Sequence, residues 1–298
     1  MFNILLYCIA AFIWGSTWLA IKYQLGVVDP LVSVAYRFGF SAILLLVYCR
    51  IAGLNLRYSF NEHKQIALQG LLLFGVNYWF VYMAETELPS GLVAVIFSMI
   101  VLLNIFNSAI FLKTAIRPHV LVGALIGLSG IAIIFKNELF NFSLQNKTAI
   151  ALGLCILSAV FASLGNITSA YNQKIKLPVI QTNAFGMLYG SIVMFFIASV
   201  LGKSINFDYS AGYVISLLYL SIFGSVIAFG AYLTLVGRIG ADRAGYIALI
   251  FPIIALALST VFEKYIWTLP AVAGFALILL GNLLVISKKM PVKIHRSE

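Results

Sequence analysis

Residues 89–134 read PSGLVAVIFSMIVLLNIFNSAIFLKTAIRPHVLVGALIGLSGIAII, and this stretch occurs twice in the chain. A turn-prone start leads into an apolar run, a short basic hinge and a second apolar run with spaced glycines. Residues 240–285 follow the same plan. An offset of 151 residues places Ser108 on Ser259, Lys113 on Lys264, Gly123 on Gly274 and Gly130 on Gly281. Four identities in one ungapped register, with one hydropathy profile, indicate an internal duplication.

The composition is that of a membrane protein. Of 298 residues, 62% are hydrophobic and 9% are charged, and the mean hydropathy is +1.05. Soluble domains carry about 25% charged residues, so we interpret the chain as an all-α polytopic membrane protein. The formal charge of +10 comes from bases between apolar runs and at the C-terminus, a distribution that favours membrane orientation over nucleic-acid binding.

Ten apolar runs approach the ~20 residues that a bilayer-spanning helix needs. They cover residues 4–21, 31–48, 65–84, 92–112, 120–135, 149–171, 179–201, 212–236, 244–262 and 269–286. The longest polar insertion, residues 136–147, separates two sets of five runs, so we predict one repeat over 1–145 and a second over 146–298. The first run lacks a basic start and a small-residue cleavage site, and we expect it to remain as a helix.

The distribution of Lys and Arg predicts the orientation. With the N-terminus in the cytoplasm, thirteen of the nineteen basic residues face inward and five face outward, while Arg37 lies within a helix. This positive-inside bias predicts a multi-pass protein of the inner or plasma membrane with both termini cytoplasmic. Because each copy has five helices, the second copy must enter the membrane from the opposite side, as in the inverted repeats of many secondary transporters.

Polar and aromatic residues at membrane depth mark a candidate cavity. Lipid penalises such side chains, so they usually turn towards the bundle interior. The alternative is that the amides only join helices, at about 0.6 kcal/mol each. We expect a substrate site formed by residues of the first, third, fourth, sixth and eighth helices: Trp14, Trp18, Asn77, Tyr78, Tyr82, Asn104, Asn166 and Tyr232.

Three further features have a structural and a functional interpretation. Arg37 and Glu85 lie near the same side of the membrane, and they predict a structural ion pair or, as the sharper alternative, a site for a substrate carboxylate. Pro252, within the ninth helix, would free a backbone carbonyl and allow a kink that could serve as a gate. Gly123 and Gly127, continued by Gly130 and repeated in the tenth helix, predict close helix packing, with a dimer contact as the alternative.

Enzyme motifs are scarce. Gly202-Lys203-Ser204 resembles the end of a phosphate-binding loop, but Ile197 stands where that loop needs a glycine. The sequence predicts no catalytic set, metal site or cofactor, and the cysteines lack ligand or redox spacing. The expected partners are a small-molecule substrate and membrane lipid, with no nucleic acid, in a monomer or homodimer.

The sequence resembles the EamA-like branch of the drug/metabolite transporter superfamily over nearly its whole length. The motifs that carry this resemblance are Ile13-Trp14-Gly15-Ser16-Thr17-Trp18, Asp29-Pro30, Tyr36-Arg37-Phe38, the duplicated block, and Ile250-Phe251-Pro252 with Glu263. The first copy departs from the family pattern, with Val101 where Pro is usual and Leu112 where Glu is usual. The resemblance implies ten helices, a central cavity between the repeats and transport, often export, of amino acids or other small metabolites.

We therefore expect a secondary transporter of a small neutral or zwitterionic metabolite that works by alternating access, and not an enzyme. A nucleotide-sugar or other organic-anion carrier is the nearest alternative, but such a substrate needs several deep bases and only Arg37 is available. An intramembrane enzyme or a receptor-like membrane protein is the alternative of another class.

Overall fold

The computed structural model describes residues 2–116, 118–134, 136 and 146–286. The described residues are helical or irregular, with no strand among them. Ten principal helices follow one another in these ranges: α1 Phe2–Lys22, α2 Pro30–Ile51, α3 Phe60–Glu85, α4 Ser90–Leu112, α5 Pro118–Ile134, α6 Lys147–Lys174, α7 Val179–Val200, α8 Ala211–Ile239, α9 Phe251–Phe262 and α10 Leu269–Ile286.

These helices confirm the expectation of an integral, multi-pass, all-helical membrane protein. Seven of them (α1 to α4 and α6 to α8) are long and apolar enough to cross a membrane, and α5, α9 and α10 are shorter apolar helices. Each of the ten predicted runs overlaps one of these helices, although the first part of the ninth run, before residue 251, is not part of α9. The predicted connection at 136–147 and the C-terminal bases fall largely outside the described residues, which omit 137–145 and 287–298.

Polar residues fix the starts of several helices. Asp29 accepts the Leu31 N–H at 2.9 Å and is followed by Pro30 in the first turn of α2. Ser59 and Glu62 form a reciprocal capping box at the start of α3. Side-chain oxygens at a helix start satisfy N–H groups that have no partner within the helix. The sequence thus sets the register with which each apolar run enters the bundle.

Four helices depart from regular α geometry beside the centre of the bundle, and one of them, α4, is interrupted by a turn at residues 98–99, between Phe97 and Ile100. α3 contains a π-helical segment at Leu71–Val76, and α8 contains one at Leu220–Ile227. Before α9 the chain forms a short helix, Ala241–Ala244, and a 3₁₀ segment, Gly245–Leu249. Pro252 lies in the first turn of α9, where its missing N–H costs least, and not in the middle of a regular helix as the sequence suggested.

Helices α5 and α10 cross in close contact through glycines. A Cβ on Gly130 would stand 2.5 Å from the Gly274 carbonyl oxygen, and one on Gly281 would stand 2.5 Å from the Gly123 carbonyl oxygen. Since residue numbers rise along one helix as they fall along the other, the crossing is antiparallel. Gly127 has a looser environment, because a Cβ there would meet only Leu102 at 3.9 Å. The predicted close packing is therefore present, and its tightest positions are Gly130, Gly274 and Gly281.

The duplicated block also shares a backbone feature. Lys113 ends α4 with φ of 56°, and Lys264 follows α9 with φ of 55°. Left-handed backbone is uncommon for residues other than glycine, so its presence at both positions of one aligned pair is informative. The chain therefore leaves α4 and α9 through the same backbone conformation.

The connections after α1, α3, α7 and α9 meet at one end of the bundle, which we call the Lys22 end. There Lys22 pairs with Glu263 at 3.6 Å and Lys203 pairs with Asp29 at 3.1 Å. At the opposite end, Arg238 Nε donates to Asn3 Oδ1 at 2.7 Å. Successive connections that alternate between the two ends of the bundle are what a chain that crosses the membrane repeatedly requires.

Candidate functional site: a central cavity

A cavity lies at the centre of the bundle, between α1, α3, α4, α6, α8 and the start of α9. Its volume is about 50 Å³. That is room for a few water molecules and far below the ~300–1,000 Å³ of a typical small-molecule pocket. The lining residues are Trp14, Thr17, Trp18, Ile21, Leu73, Asn77, Tyr78, Val81, Phe97, Ile100, Ala162, Asn166, Phe229, Tyr232, Gly245, Ile247, Ala248 and Phe251.

Aromatic rings form two groups along the cavity wall. Trp14 contacts Phe229 and Tyr232, with ring centroids 5.0 and 4.9 Å apart. Trp18, one turn further along α1, contacts Phe97 and Phe251 at 5.2 and 5.7 Å. The Trp14 indole N–H donates to the Gly224 carbonyl oxygen at 3.2 Å, which fixes the ring against α8. These rings offer large apolar faces to an organic solute.

A hydrogen-bonded group of two amides and a phenol joins α4, α6 and α8 beside the cavity. Asn166 Nδ2 donates to Asn104 Oδ1 at 3.3 Å and to the Tyr232 hydroxyl at 3.1 Å. Asn104 Nδ2 in turn donates to the Ala241 carbonyl oxygen at 3.4 Å. All three side chains are buried, and Asn166 Oδ1 has no hydrogen-bond partner. The group therefore keeps an acceptor free.

Asn77 and Trp18 leave further polar atoms unpaired at the cavity wall. Asn77 Nδ2 donates to the Leu73 carbonyl oxygen at 3.2 Å, within its own helix, while Asn77 Oδ1 lacks a partner. The indole N–H of Trp18 is likewise buried without a partner. A buried unpaired polar atom costs about 1–3 kcal/mol, so these atoms call for water or solute in the cavity.

Arg37 lies behind the wall of the cavity and is fully buried. Its Nε donates to Ser225 Oγ at 3.0 Å, and its Cζ lies 4.4 Å from the ring centroid of Tyr78, a lining residue. Neither terminal nitrogen, Nη1 or Nη2, has a well-aligned hydrogen-bond partner. The guanidinium is thus held at one nitrogen, lies over the Tyr78 ring and, at 5.1 Å, the Phe38 ring, and interacts with the Tyr78 and Tyr82 hydroxyls, while no carboxylate among the described residues pairs with it.

The Lys22 end of the bundle is held by charged and polar contacts. Lys22 Nζ donates to the carbonyl oxygens of Glu85 and Leu88 at 2.6 and 2.8 Å, in addition to its pairing with Glu263. The Glu263 carboxylate accepts the N–H and the hydroxyl of Ser90 at the start of α4. The ends of α1, α3 and α9 and the start of α4 are joined here.

Comparison with known proteins identifies the family. The sequence profile described as "EamA-like transporter family" matches residues 1–136 and 149–287. The chain belongs to this family. As an EamA-like transporter, it is similar to the "Uncharacterized inner membrane transporter YedA" of Escherichia coli K12, with 31% identity over 275 residues covering 90% of this chain and 86% of the relative.

Two further relatives and one solved structure are similar over nearly their whole length. An "Uncharacterized transporter" of Archaeoglobus fulgidus is 25% identical, covering 93% of this chain and 95% of the relative. "Protein PagO" of Salmonella typhimurium is 24% identical, covering 95% and 88%. A crystal structure of a protein matches 95% of each chain with a TM-score of 0.68 and 19% identity, which shows the shared fold.

The structure of this EamA-like transporter brings most of the predicted site residues together. Six of the eight line the cavity: Trp14, Trp18, Asn77, Tyr78, Asn166 and Tyr232. Asn104 contacts Asn166 from behind the lining. Tyr82 is buried outside the lining, and its hydroxyl donates to Gln24 Oε1.

The predicted ion pair between Arg37 and Glu85 is not formed. Arg37 is turned towards Tyr78 and Ser225, and both carboxylate oxygens of the buried Glu85 lack a hydrogen-bond partner. Tyr78, on which Arg37 stacks, lies about 10 Å along α3 from Glu85 at 1.5 Å per residue, and Arg37 acts on Glu85 only through its charge, without an ion-pair contact. Pro252, the predicted gate, is buried at the start of α9 next to the lining residue Phe251.

Sequence reasoning missed several contributors to the site. The cavity is also lined by Phe97, Phe229, Gly245, Ile247 and Ala248, and no pattern of polar residues marks these positions in the sequence. The contact between Lys22 and Glu263 joins residues far apart in the chain. Among the described residues, no group of three or more His, Cys, Asp or Glu side chains could hold a metal ion.

Proposed function

We propose that this chain is a secondary transporter of a small neutral or zwitterionic metabolite, such as an amino acid, and that it exports this solute by alternating access. The observation that supports the substrate class best is the cavity lining, which combines the Trp14 and Trp18 rings with unpaired polar atoms of Asn77 and Trp18. A solute with an apolar body and a polar end would stack on the rings and satisfy those atoms.

The cavity volume supports a mechanism that involves movement. At about 50 Å³ the cavity is smaller than a substrate needs, so binding requires the helices around it to separate. Contacts that break and re-form during such a movement lie on both sides of the cavity. The Lys22 end has the pairing of Lys22 with Glu263, and the opposite side of the cavity has the group around Asn104 and Asn166.

An inverted 5+5 repeat, with boundaries near residue 145, is the second part of the proposal. The glycine contacts of α5 and α10 support it. Adding 151 to Gly130 gives Gly281, and subtracting 151 from Gly274 gives Gly123, so the offset of the duplication exchanges the two contacts of this crossing. Two helices whose contacts are exchanged by one operation are related by a two-fold axis. In an antiparallel crossing, the two-fold axis runs perpendicular to the helices, which places it in the membrane plane, as alternating-access repeats require.

The charge distribution supports an inner-membrane orientation with both termini in the cytoplasm. The connections that are rich in Lys and Arg would then face inward, and the Lys22 end would face outward. A nucleotide-sugar carrier is the less favoured candidate, because its phosphates need several bases, and no Lys or Arg is among the lining residues while Arg37 is the single base close to them in the described part of the chain. An intramembrane enzyme would need a catalytic set, and the cavity lining holds amides, rings and aliphatic groups.

The test is counterflow of radiolabelled neutral L-amino acids into proteoliposomes that contain the purified chain. We expect uptake that saturates, and we expect Asn166→Ala to reduce it at least tenfold, because Asn166 contacts both Asn104 and Tyr232. Asn55→Ala is the matched control, since Asn55 is exposed in the connection after α2. No counterflow by a monodisperse, folded protein, or equal losses in both variants, would contradict the proposal.

A further inference from the structure

We infer that Arg37 is the specificity-determining residue of the cavity, and that its two free terminal N–H groups bind a carboxylate carried by the substrate. The inference rests on the proposed transport function and adds what the substrate must contain. It predicts that amino acids are accepted and that otherwise identical solutes without the carboxylate are rejected.

The first argument is the unsatisfied charge. Arg37 is fully buried and its Nε donates to Ser225, whereas Nη1 and Nη2 have no well-aligned partner and only the neutral Tyr78 and Tyr82 hydroxyls beside them. No carboxylate lies within ion-pair distance, because the described ion pairs join Lys22 to Glu263 and Lys203 to Asp29. A buried cation without a partner is unfavourable, and such residues within membrane helices usually serve function. A carboxylate from outside the protein would supply the two acceptors that the guanidinium fork fits best.

The second argument is position. The guanidinium stacks on Tyr78, which lines the cavity, at 4.4 Å. Nη2 lies near Thr17, another lining residue, because both would stand close to a Cβ placed on Gly224, at 3.2 and 2.8 Å. Only one layer of side chains therefore separates the free fork from the cavity. Rotation of Tyr78, as the helices separate to admit a solute, would expose that fork to it.

The third argument is the set of unpaired atoms in the lining itself. Asn77, next to Tyr78 on α3, offers a free acceptor in Oδ1, and the Trp14 and Trp18 rings offer apolar faces. An α-amino acid has the matching parts, with a carboxylate for Arg37, an ammonium donor for Asn77 and a side chain for the rings. The positive charge behind Tyr78 also disfavours organic cations that lack a carboxylate, since like charges repel at low dielectric.

The test compares neutral L-amino acids with the corresponding amino-acid amides, which keep the ammonium and the side chain and lose only the carboxylate. Both sets are measured by counterflow in proteoliposomes containing the wild-type chain. We expect flux of the acids to exceed flux of the amides at least tenfold. Equal flux of acids and amides would overturn the role of Arg37 and leave the transporter proposal standing. Flux of neither set would contradict the transport proposal and this inference with it.

Arg37→Gln and Arg37→Lys separate recognition from structural support. Arg37→Gln should remove the preference for acids over amides, and Arg37→Lys should keep part of it, because lysine retains the charge without the planar fork. Arg238→Gln is the matched control, since Arg238 is exposed at the end of α8 and should keep the wild-type preference. A merely structural role would lower flux of both sets in proportion, which would overturn the inference. Should Arg37→Gln not fold, the wild-type ratio of acid to amide flux decides alone.

Discussion

Replacement of Gly281 with alanine tests the crossing of α5 and α10. The new methyl group would stand 2.5 Å from the Gly123 carbonyl oxygen, 2.7 Å from the Gly127 nitrogen and 3.0 Å from the Gly127 Cα. All three are backbone atoms, so no side-chain rotation can relieve the overlap and the helices must move apart. Such overpacking costs about 1–3 kcal/mol. Alanine recovers ~0.5–1 kcal/mol relative to glycine inside a helix, which leaves a net loss of up to roughly 2.5 kcal/mol. We expect the upper half of that range, because all three overlaps are with backbone atoms.

The assay is reversible unfolding in mixed micelles with increasing denaturing detergent, followed by far-UV circular dichroism. Two glycine-to-alanine controls come from the same chain. Gly153 has nothing within 4 Å of its Cβ position, and Gly127 has only Leu102 at 3.9 Å, so both replacements should be neutral or stabilising. Wild-type stability in Gly281→Ala, or an equal loss in Gly127→Ala, would refute the packing argument.

Three further outcomes follow from other parts of the structure. Asn104→Ala should weaken substrate binding about tenfold, or ~1.4 kcal/mol, while expression changes little; a loss of expression with unchanged affinity would contradict its place in the site. Glu263→Gln should destabilise the protein by roughly 0.2–1 kcal/mol, less so in about 1 M salt, because it breaks the pairing with Lys22; a loss that ignores salt would point to packing instead. On a Cys8→Ser background, a cysteine at Ser204 should react with an impermeant thiol reagent in intact cells and one at Asn55 only after permeabilisation, and the reverse pattern would overturn the orientation.

Helix positions and the cavity could be predicted from local patterns. Apolar runs near bilayer length fix a helix almost regardless of its neighbours, because lipid leaves the backbone no other way to satisfy its hydrogen bonds. The cavity residues on α1 and α3 were found because spacing of one turn keeps side chains on a common face. Trp14 with Trp18 on α1 is the clearest example, whereas on α3 Tyr82, one turn from Tyr78, lies outside the lining.

The contacts between helices could not be predicted in the same way. Sequence position gives the depth of a residue in the membrane, but not the direction in which it faces around its helix. Arg37 and Glu85 were therefore judged to be partners from depth, whereas the structure turns Arg37 towards Tyr78 and Ser225. Pairings such as Lys22 with Glu263 depend on the arrangement of whole helices and have no local signal.

The π-helical segments of α3 and α8 determine which changes in length the chain can tolerate. A π turn holds more residues than an α turn, so the segment Leu71–Val76 shifts every later side chain of α3 around the helix axis. Six residues in π geometry turn about as far around the helix axis as five residues in α geometry. Deletion of one residue there would therefore restore an α-helix and leave the remainder of α3 in its present orientation, with Tyr78 still against Arg37. The segment Leu71–Val76 is thus a place where α3 can lose one residue without changing which side chains face the cavity.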